Sequence, residues 1–534
     1  ITKEVFPVLE NEFVKITFSN KGGQPRSVLL KRFNKFDGTP VKLNASSFDQ
    51  FSYRFNSDVN KTASSNDFYF QTSGVEKNGE GQTLRFELKD STGRKLVHQY
   101  TLNQEQYMLD CQLSFDGVSS LFTGNTLGIL WQAEAGPVEK DHKYELTQSH
   151  FCFKDKDGFD FEYIQKSGEK ELQKTSWVSL KQQFFLSALV AKNGFQTSRS
   201  EWTLPPDSLS SQYLTRATTI ASIPFSSGND QSVSFQLFYG PSDYSILRKY
   251  DIGLENIVPY GTGIFAFVKY INRHFLLPVF DFLASSIGSM GIVILLLTLL
   301  IRLITSPILY KSYLSGAKMK VLKPEVDALR EKYKDDQQTF GMEQMKLWKS
   351  AGVNPLGGCL PALLQIPIFM SLYYFFQSNI SLRGKSFLWA SDLSQYDSIL
   401  NLPFDVPFYG NHVSLFTLTA VVTSLLISLY SMSNMQDNSN PVMKYMPYIF
   451  PVLLLGVFNN LPSALTWYYT ISNTITLILQ FIIQKYIINH DKIMAEMEEN
   501  RKKPVKKSKL QERIEAMQES QKKLQDMKNR NSGK

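Results

Sequence analysis

The chain has 534 residues, with 57 basic and 49 acidic side chains and a formal net charge of +8. This length is too great for one hydrophobic core and predicts two or three domains. Three cysteines exclude a small disulfide-rich scaffold. Residues 1–250 are polar, residues 261–490 hold long apolar runs, and residues 491–534 are polar again. This pattern predicts a membrane protein that carries a large soluble domain.

Residues 1–250 alternate apolar and polar side chains over short segments separated by glycine-containing turns, as in Phe13–Phe18. Many short strands at this spacing predict a β-sandwich. Asp141, His142 and His150 have no spacing typical of a metal site, and we interpret them as ordinary surface residues. A carbohydrate site is an alternative for this domain, because aromatic-rich sandwiches also bind sugars.

Two cysteines, Cys111 and Cys152, fall in the same domain. They could pair, but thiols in a β-domain are more commonly buried and free. An exported domain needs an apolar segment ahead of it, and none precedes Ile1. We therefore expect that such a segment has been removed or left out of this chain.

Residues 251–286 form a linker. Within them, Pro259–Leu277 has apolar side chains near one helical face but is too mixed to cross a membrane. We interpret this stretch as an interfacial helix on the outer leaflet, which Pro278 ends. A helix packed on the β-domain is the alternative reading.

Residues 287–310 contain the apolar run Gly288–Leu309, which is long enough to cross a hydrocarbon core of roughly 30 Å as a helix. One full charge, Arg302, lies inside this run. A central arginine costs about 2.5–3.5 kcal/mol on insertion scales, so it is rare unless it faces water or a partner. The alternative is that its long side chain reaches the lipid headgroups.

Residues 311–354 are helical in composition, with Pro324 suited to a first turn and Asp335-Asp336 to a turn between two helices. This pattern predicts a helical hairpin. Lysine and arginine crowd this segment and the tail, whereas acidic residues outnumber basic ones between the second and third spans. The positive-inside rule therefore puts the hairpin and the tail in the cytoplasm and the N-terminal domain outside.

Residues 355–490 contain four further apolar runs, at Leu356–Phe376, Val413–Met432, Tyr445–Phe458 and Leu465–Ile488. Polar residues occur on several spans: Thr298, Arg302, Gln365, Thr423 and Asn473. Single polar residues commonly join helices, but an arginine together with amides and hydroxyls on most spans favours a shared wet cavity. Prolines in these runs would kink the helices and let a groove open.

Residues 491–534 form a basic tail with apolar residues near heptad spacing, which predicts a short helix or a weak coiled coil. Clustered cations could contact ribosomal RNA phosphates, at Arg501, Lys502, Lys503, Lys506, Lys507 and Lys509. The tail could equally bind anionic lipid or stay in water.

The combined motifs of residues 251–488 resemble those of the YidC membrane-protein insertases of Gram-negative bacteria. The matching stretches are Asn354-Pro-Leu-Gly-Gly-Cys-Leu-Pro361, Gln365-Ile-Pro-Ile-Phe369, Met446-Pro447, Leu461-Pro-Ser463, Tyr468-Tyr469, Ser472-Asn473, and Arg302 followed by Pro307. The domain at residues 1–250 matches by position and size more than by motif. Two features depart from the family: its N-terminal span is absent, and the tail is longer and more helical.

The resemblance implies a multi-domain fold, in which an extracytoplasmic β-supersandwich precedes a transmembrane bundle with five spans present and a cytoplasmic helical hairpin. It also implies a hydrophilic groove, open to the cytoplasm and the inner leaflet, that holds Arg302. Residues at matching positions are expected to line or flank this groove: Thr298, Gln365, Phe369, Tyr468 and Tyr469. We include Asn473 for its polar side chain on the last span.

The expected function is that of an insertase and chaperone for newly made inner-membrane proteins, working alone or with the Sec translocon. Nascent membrane proteins, the lipid bilayer and the ribosome are the other expected partners. We expect no covalent chemistry, catalytic residue, metal or cofactor. The alternatives are a secondary transporter, which needs repeats that the five spans lack, and a membrane-tethered protein acting on carbohydrate, which needs paired carboxylates in residues 1–250.

Overall fold

The computed structural model describes residues 3–58, 61–79, 81–117, 122, 126–206, 211–225, 230–334, 336–353, 360–434 and 441–502. The chain forms two compact units. The first comprises Ile1–Lys269 and Tyr374–Arg383, and the second comprises Tyr270–Tyr373 and Gly384–Lys534. Sequence patterns placed the end of the first domain at Tyr250, so the first unit extends further along the chain and includes a later segment.

The first unit is a large β-sandwich domain. Its strands are Val8–Glu10 (β1), Val14–Ser19 (β2), Gln24–Asn34 (β3), Pro40–Leu43 (β4), Gln50–Asp58 (β5), Lys61–Ser64 (β6), Gln71–Asn78 (β7), Gly81–Lys89 (β8), Lys95–Asn103 (β9), Met108–Asp116 (β10), Thr126–Ala135 (β11), His150–Asp155 (β12), Gly158–Tyr163 (β13), Gly168–Lys181 (β14), Phe185–Thr203 (β15), Thr215–Pro224 (β16) and Asp230–Pro241 (β17). Two short helices accompany them, His142–Thr147 (α1) and Tyr244–Arg248 (α2).

The strands make a four-stranded sheet, in the order β1-β2-β3-β4, and a large antiparallel sheet. The large sheet runs β6-β5-β11-β16-β15-β17-β10-β9-β8-β7, with β14, β12 and β13 continuing from β15. The long strand β15 joins two partners along one edge: Phe185–Ala191 pairs with β17, and Thr197–Thr203 pairs with β16. Alternate residues of these strands point into an aromatic core that includes Trp131 and Trp177.

Two histidines of this unit, His98 and His150, are buried. His98 is buried, with Nε2 2.8 Å from the Tyr53 hydroxyl and Nδ1 2.9 Å from the Gly23 carbonyl oxygen. Burial lowers the pKa of His98 to about 4, so the ring is neutral at physiological pH. The interpretation of His150 as a surface residue is wrong, because its ring packs against Phe161 and Tyr163 with only 5% of the residue exposed.

Cys111 and Cys152 are both buried and free. This confirms that the thiols are buried rather than paired. Asp141 has a capping role, since its carboxylate accepts from the backbone N–H of Tyr144 at the start of α1.

The segment Tyr374–Arg383 belongs to the β-sandwich unit through buried polar contacts. The Arg383 guanidinium donates to the Glu139 carboxylate at 2.6 Å and lies over the Phe185 ring, 5.2 Å from its centroid. Both charged side chains are at least nine-tenths buried. Beside them, the Glu145 carboxylate accepts from the backbone N–H groups of Val138 and Glu139.

Glu145 makes the stability of the β-sandwich unit pH-dependent. Burial raises the pKa of its carboxyl from 4.5 to about 8, and the nearby Glu139 adds to the shift. The unfolded chain ionises near pH 4.5 and the folded chain near pH 8, so this group lowers stability as pH rises between those values. We expect Glu145→Gln, which keeps an acceptor oxygen, to raise stability at pH 8 by on the order of 2 to 4 kcal/mol.

The measurement is the thermal midpoint of the detergent-solubilised protein between pH 5 and pH 8. Wild type should lose more stability than Glu145→Gln over this range. Glu76→Gln, which removes an exposed carboxylate on β7, is the matched control and should follow wild type. Equal pH dependence in Glu145→Gln and wild type would contradict the assignment.

The second unit is helical. Its helices, including α3 and α8, which cross the unit boundary, are Val268–Ile271 (α3), Leu277–Ser286 (α4), Met290–Val321 (α5), Lys323–Lys332 (α6), Gln337–Ser350 (α7), Leu360–Ser378 (α8), Leu415–Asn434 (α9), Pro441–Phe458 (α10), Ser463–Ile482 (α11) and His490–Lys502 (α12). A short hairpin, Leu400–Val406 (β18) and Gly410–Val413 (β19), precedes α9. The predicted helical pair at residues 311–354 corresponds to α6 and α7, although α5 continues to Val321.

Pro278 does not end the helix before it, contrary to the sequence-based prediction. A π-helical turn at Asn272–Leu276 leads directly into α4, with Pro278 in its first turn. The wider turn accommodates the missing N–H group of the proline. In α5, Pro307 cannot donate to the Leu303 carbonyl, and the Ser306 hydroxyl donates to it instead at 2.8 Å.

Among the described residues, one helix is long and apolar enough to cross a membrane, Met290–Val321. A second is obtained if Ser463–Ile487 and Asp491–Lys502 are taken together across a bend of 74°. Leu415–Tyr430 and Tyr448–Phe458 are shorter apolar helices. Large apolar side chains are exposed on α5 and α10, including Leu303 at 71% and Val452 at 68%.

Candidate functional site: a cationic polar cavity

One row of side chains on α5 faces a cavity in the helical unit. The row contains Arg302, Leu309, Tyr313, Gly316 and Lys320. These positions are separated by seven, four, three and four residues, which keeps them on one face of the helix. Because Gly316 has no side chain, it leaves space between the larger members of the row.

A second row comes from α11 and the π-helical turn after it, and its side chains are polar. It contains Tyr469, Asn473, Thr476, Gln480 and Gln484, again at helical spacing. The Asn473 amide donates to the Ala420 carbonyl at 3.2 Å and to the Thr423 hydroxyl at 3.3 Å, so α9 is held against this row.

The remaining walls come from α8, α9 and α10. Their lining residues are Gln365, Ile366 and Phe369 from α8, Ala420, Ser424, Ile427, Ser428 and Tyr430 from α9, and Phe450, Leu454 and Phe458 from α10. The cavity measures about 860 Å³. It therefore combines hydroxyls and amides with aliphatic and aromatic surface.

Arg302 is held by a serine that is distant in the sequence. Its guanidinium donates through Nε to the Ser472 hydroxyl at 2.8 Å, and Nη2 contacts the same oxygen. Arg302 is 7% exposed and Ser472 is fully buried. A guanidinium has five N–H donors, and a serine oxygen satisfies only part of that capacity. Arg302 therefore presents positive charge and donors to the cavity.

Among the described residues, the charged side chains that line the cavity are all basic. Arg302, Lys320 and Lys485 all line it, and within the described residues no aspartate or glutamate does. Cations gathered in a site with apolar walls create a positive potential that attracts anionic groups. The cavity is therefore suited to a polar or acidic segment rather than to a cation.

Aromatic rings lie at one end of the cavity. Phe369, Phe458 and Tyr469 pack together, with ring centroids 5.4 Å apart for Phe369 and Tyr469 and 4.8 Å apart for Phe458 and Tyr469. Tyr468 stands edge-on to Tyr469 at 5.4 Å and is fully buried. These rings separate the polar surface around Asn473 from the end of the bundle where α11 begins.

The loop between α8 and α9 ties that same end together through Asp397. This carboxylate is 3% exposed and accepts from the Trp389 indole at 2.9 Å, from the Ser414 hydroxyl, and from the backbone N–H groups of Leu415 at 2.8 Å and Phe416 at 3.1 Å. It thereby satisfies the free N–H groups at the start of α9.

The loop also packs on α5 and α11. Phe387 lies so close to Gly291 that an added Cβ would be 2.1 Å from the ring, and the Trp467 indole donates to the Gly291 carbonyl at 3.0 Å. The first residues of α11 are held too, because the Ser463 N–H and hydroxyl both donate to the Gln395 carbonyl. This loop therefore closes the end of the helical unit where α5 begins.

Five of the groove residues predicted from sequence meet in the cavity: Arg302, Gln365, Phe369, Tyr469 and Asn473. Thr298 and Tyr468 do not line it. Both are fully buried, and the Thr298 hydroxyl donates to the Ile294 carbonyl of its own helix at 2.6 Å.

Of the predicted ribosome contacts, Arg501 and Lys502 are exposed at the end of α12, and Arg501 is paired with Glu325. The other four, Lys503, Lys506, Lys507 and Lys509, lie outside the described residues. So does most of the motif at residues 354–361.

Sequence reasoning missed Ser472 as the partner of Arg302, and missed Lys320 and Lys485 as lining cations. Helical spacing could have found part of this set. Asn473, Thr476 and Gln480 lie on one face of their span, and Lys320 continues the face of Arg302. No local signal pairs Ser472 with Arg302, because the contact joins residues 170 positions apart.

Comparisons with known proteins agree with this architecture. Residues 8–272 match a family model described as the YidC periplasmic domain, and residues 282–491 match one described as the 60Kd inner membrane protein. A membrane protein insertase YidC of Parabacteroides distasonis is 34% identical, over 97% of this chain and 83% of the relative. One of Bacteroides fragilis is 34% identical, over 98% of this chain and 85% of the relative.

A solved structure described as an active YidC insertase with its first transmembrane domain resolved is 20% identical, covers 91% of this chain and 94% of its own, and gives a TM-score of 0.36. The fold and the site define a class: an inner-membrane protein with a large periplasmic β-sandwich domain and a helical region that holds a cationic polar cavity. The chain belongs to the YidC family of membrane protein insertases.

Proposed function

We propose that this protein inserts newly made inner-membrane proteins by receiving their polar segments in the cationic cavity. The observation that carries this proposal is the cavity itself, in which Arg302, Lys320 and Lys485 accompany amides and hydroxyls inside a largely apolar helical unit. A charged side chain among apolar helices is costly unless it meets a polar group or water. A substrate segment that must leave the cytoplasm supplies such a polar group.

The proposed topology has five spans, formed by α5, α8, α9, α10 and α11. Exposed apolar side chains support lipid contact, because soluble proteins rarely expose large contiguous apolar surface. The α6–α7 hairpin and the tail carry the excess of lysine and arginine, so they are assigned to the cytoplasm and the β-sandwich to the periplasm. In this topology the first residues of α5 face the periplasm and Lys320 faces the cytoplasm.

The proposed mechanism is physical and involves no covalent chemistry. A wet cavity in the inner half of the membrane shortens the apolar path for a substrate's short translocated segment. The substrate's apolar helix then partitions into lipid, and burial of its surface supplies the driving force. The aromatic residues and the Asp397 loop keep the outer half dry, which limits ion leak and supports an insertase over a transporter with a through path.

The proposed partners are nascent membrane proteins, the lipid bilayer, the Sec translocon and the ribosome. The ribosome is assigned to the basic tail, whose clustered cations suit RNA phosphates. Such binding should weaken steeply with salt, because phosphate contacts release counterions.

Cysteine labelling tests the proposed function, with the native Cys111 and Cys152 buried. In a Cys359→Ser background, Gln365→Cys and Asn473→Cys should react with a membrane-impermeant maleimide added from the cytoplasmic side but not from the periplasmic side. Leu303→Cys, exposed on α5 and facing lipid, and Thr298→Cys, buried against its own helix, should react from neither side.

Two results would contradict this assignment. Equal labelling from both faces would indicate a through-pore and favour a transporter. If Gln365→Cys and Asn473→Cys react from neither face, the polar side chains serve only as contacts between helices, and the hydrated cavity is ruled out.

A further inference from the structure

Helix α12 is docked on the helical unit rather than extended from it. Its apolar residues Ile493 and Met497, each 3% exposed, belong to a buried cluster with Leu322, Ala351 and Val353. Partly buried side chains from α5 and α7 pack around this cluster, among them Leu314, Ala317, Met319, Leu347 and Trp348. The positions 493 and 497 are one helical turn apart, so a single face of α12 supplies the contact.

Two ion pairs fix the orientation of α12. Lys318 of α5, whose side chain is 11% exposed, donates to Glu496 at 2.8 Å. Arg501 of α12 donates through Nη2 to both carboxylate oxygens of Glu325 of α6, at 2.8 and 3.0 Å. Because the two pairs involve different helices, they hold the middle and the C-terminal end of α12 against the junction of α5 and α6.

A close contact joins Gly352, just after α7, to the Asn500 side chain of α12. Gly352 has φ of +69°, and a Cβ added there would lie 2.7 Å from the Asn500 amide nitrogen. A larger residue here would displace the Asn500 side chain and would be strained in this left-handed conformation. The helix therefore contacts the ends of α5, α6 and α7 together.

The docked helix and the cavity share residues. Ala317 and Ile488 line the cavity and also pack against the buried cluster under α12. Lys318, which binds Glu496, follows Ala317 directly and precedes the lining residue Lys320 by two positions. The cluster is therefore the floor of the cavity at the end where α5 stops, and α12 covers that floor.

We propose that α12 is a positioning element that closes this end of the cavity, with Glu496 and Arg501 as its positioning residues. The proposal rests on the function proposed above, since it describes the boundary of the same substrate site. When α12 is docked, Arg501 is engaged by Glu325 and the floor at Ala317 and Ile488 is covered. When α12 leaves, the floor is open and Arg501 is available to another anion.

Charge reversal tests the proposal. In a Cys359→Ser background, Gln480→Cys reports on the α11 wall of the cavity and Gln365→Cys on the α8 wall. The rate of reaction with a membrane-impermeant maleimide is measured in inverted membrane vesicles. We expect Glu496→Lys to raise the rate at position 480 by roughly two- to fivefold, the range expected for loss of one surface ion pair. The rate at position 365 should stay unchanged.

A double reversal provides the rescue. Lys318→Glu with Glu496→Lys should restore the slow rate at position 480, because the pair is rebuilt with its charges exchanged. Arg501→Glu with and without Glu325→Arg repeats the test at the C-terminal end of α12. Glu498→Lys, at an exposed carboxylate on the same helix, is the matched control and should react as wild type.

The outcomes separate this inference from the proposed function. A wild-type rate at position 480 in Glu496→Lys overturns the floor assignment, even if Arg302→Ala loses insertion. A similar increase at positions 365 and 480 indicates general loosening of the helices and also overturns it. Normal insertion by Arg302→Ala would contradict the proposed function. In that case, a labelling rate at position 480 that Glu496→Lys raises and Lys318→Glu with Glu496→Lys restores would still support the assignment of α12 to the end of the cavity.

Discussion

We expect Arg302→Ala to reduce insertion of substrates with acidic translocated ends by about tenfold. A charge pair at 4 Å contributes about 1 kcal/mol in water and about 4 kcal/mol near a protein surface, and 1.4 kcal/mol is a factor of ten. The cavity supplies no carboxylate of its own among the described residues, so the arginine charge is available to the substrate. The measurement is the fraction of a radiolabelled substrate whose translocated end becomes accessible to protease from the periplasmic side.

Two variants separate charge from geometry. Arg302→Lys keeps the charge and should retain much of the insertion, although it loses the forked contact with Ser472. Ser472→Ala removes the acceptor and leaves the charge in place, so it should cost less than Arg302→Ala. Substrates with neutral translocated ends should be less affected by all three changes. If Arg302→Ala inserts acidic substrates as well as wild type, the cavity charge has no role in insertion.

The second large effect is expected from Asp397→Ala, which should destabilise the helical unit by about 3 kcal/mol or more. The buried carboxylate accepts four hydrogen bonds, and its removal leaves the N–H groups of Leu415 and Phe416 and the Trp389 indole without that acceptor. A hydrogen bond to a charged group contributes about 1.5–3 kcal/mol, and a buried donor left unpaired costs about 1–3 kcal/mol. The thermal midpoint of the purified protein in detergent should fall.

Asp405→Ala is the matched control, because Asp405 is an exposed carboxylate on the hairpin of the same loop. It should change the midpoint little. Asp397→Ala should also increase labelling of cysteines near the aromatic end of the cavity from the periplasmic side, if this loop seals the outer end. A wild-type midpoint in Asp397→Ala would show that the loop does not depend on this carboxylate.

Local patterns predicted the kinds of structure correctly over much of the chain. Period-two alternation in stretches such as Phe13–Phe18 predicted strands, because a sandwich strand faces the core with every second residue. Apolar runs predicted the helices, and Pro324 predicted the start of α6. Neither pattern could predict that β15 pairs with β17 at one end and β16 at the other, because pairing depends on residues distant in sequence.

The misread positions have physical explanations in the tertiary structure. Pro278 fails to end a helix because a π-helical turn absorbs its missing N–H group. His150 is buried because aromatic neighbours on β13 offer a large packing surface and burial keeps the ring neutral. Proline and histidine propensities describe average surroundings, and both residues here have specific partners.

The sequence by itself determined that this chain has a polar β-domain and an apolar helical part with one arginine in its longest apolar run. Composition and helical period are local properties, so the chain itself reveals them. That Arg302, Gln365, Phe369 and Tyr469 share one groove was implied by the family resemblance and not by any local pattern. Only the tertiary structure decided that Ser472 holds Arg302, that Thr298 and Tyr468 are buried behind the cavity, and that Arg501 is paired with Glu325. These contacts join residues more than 100 positions apart or depend on how tightly one side chain is packed. A local sequence pattern shows neither the distant partner nor the packing.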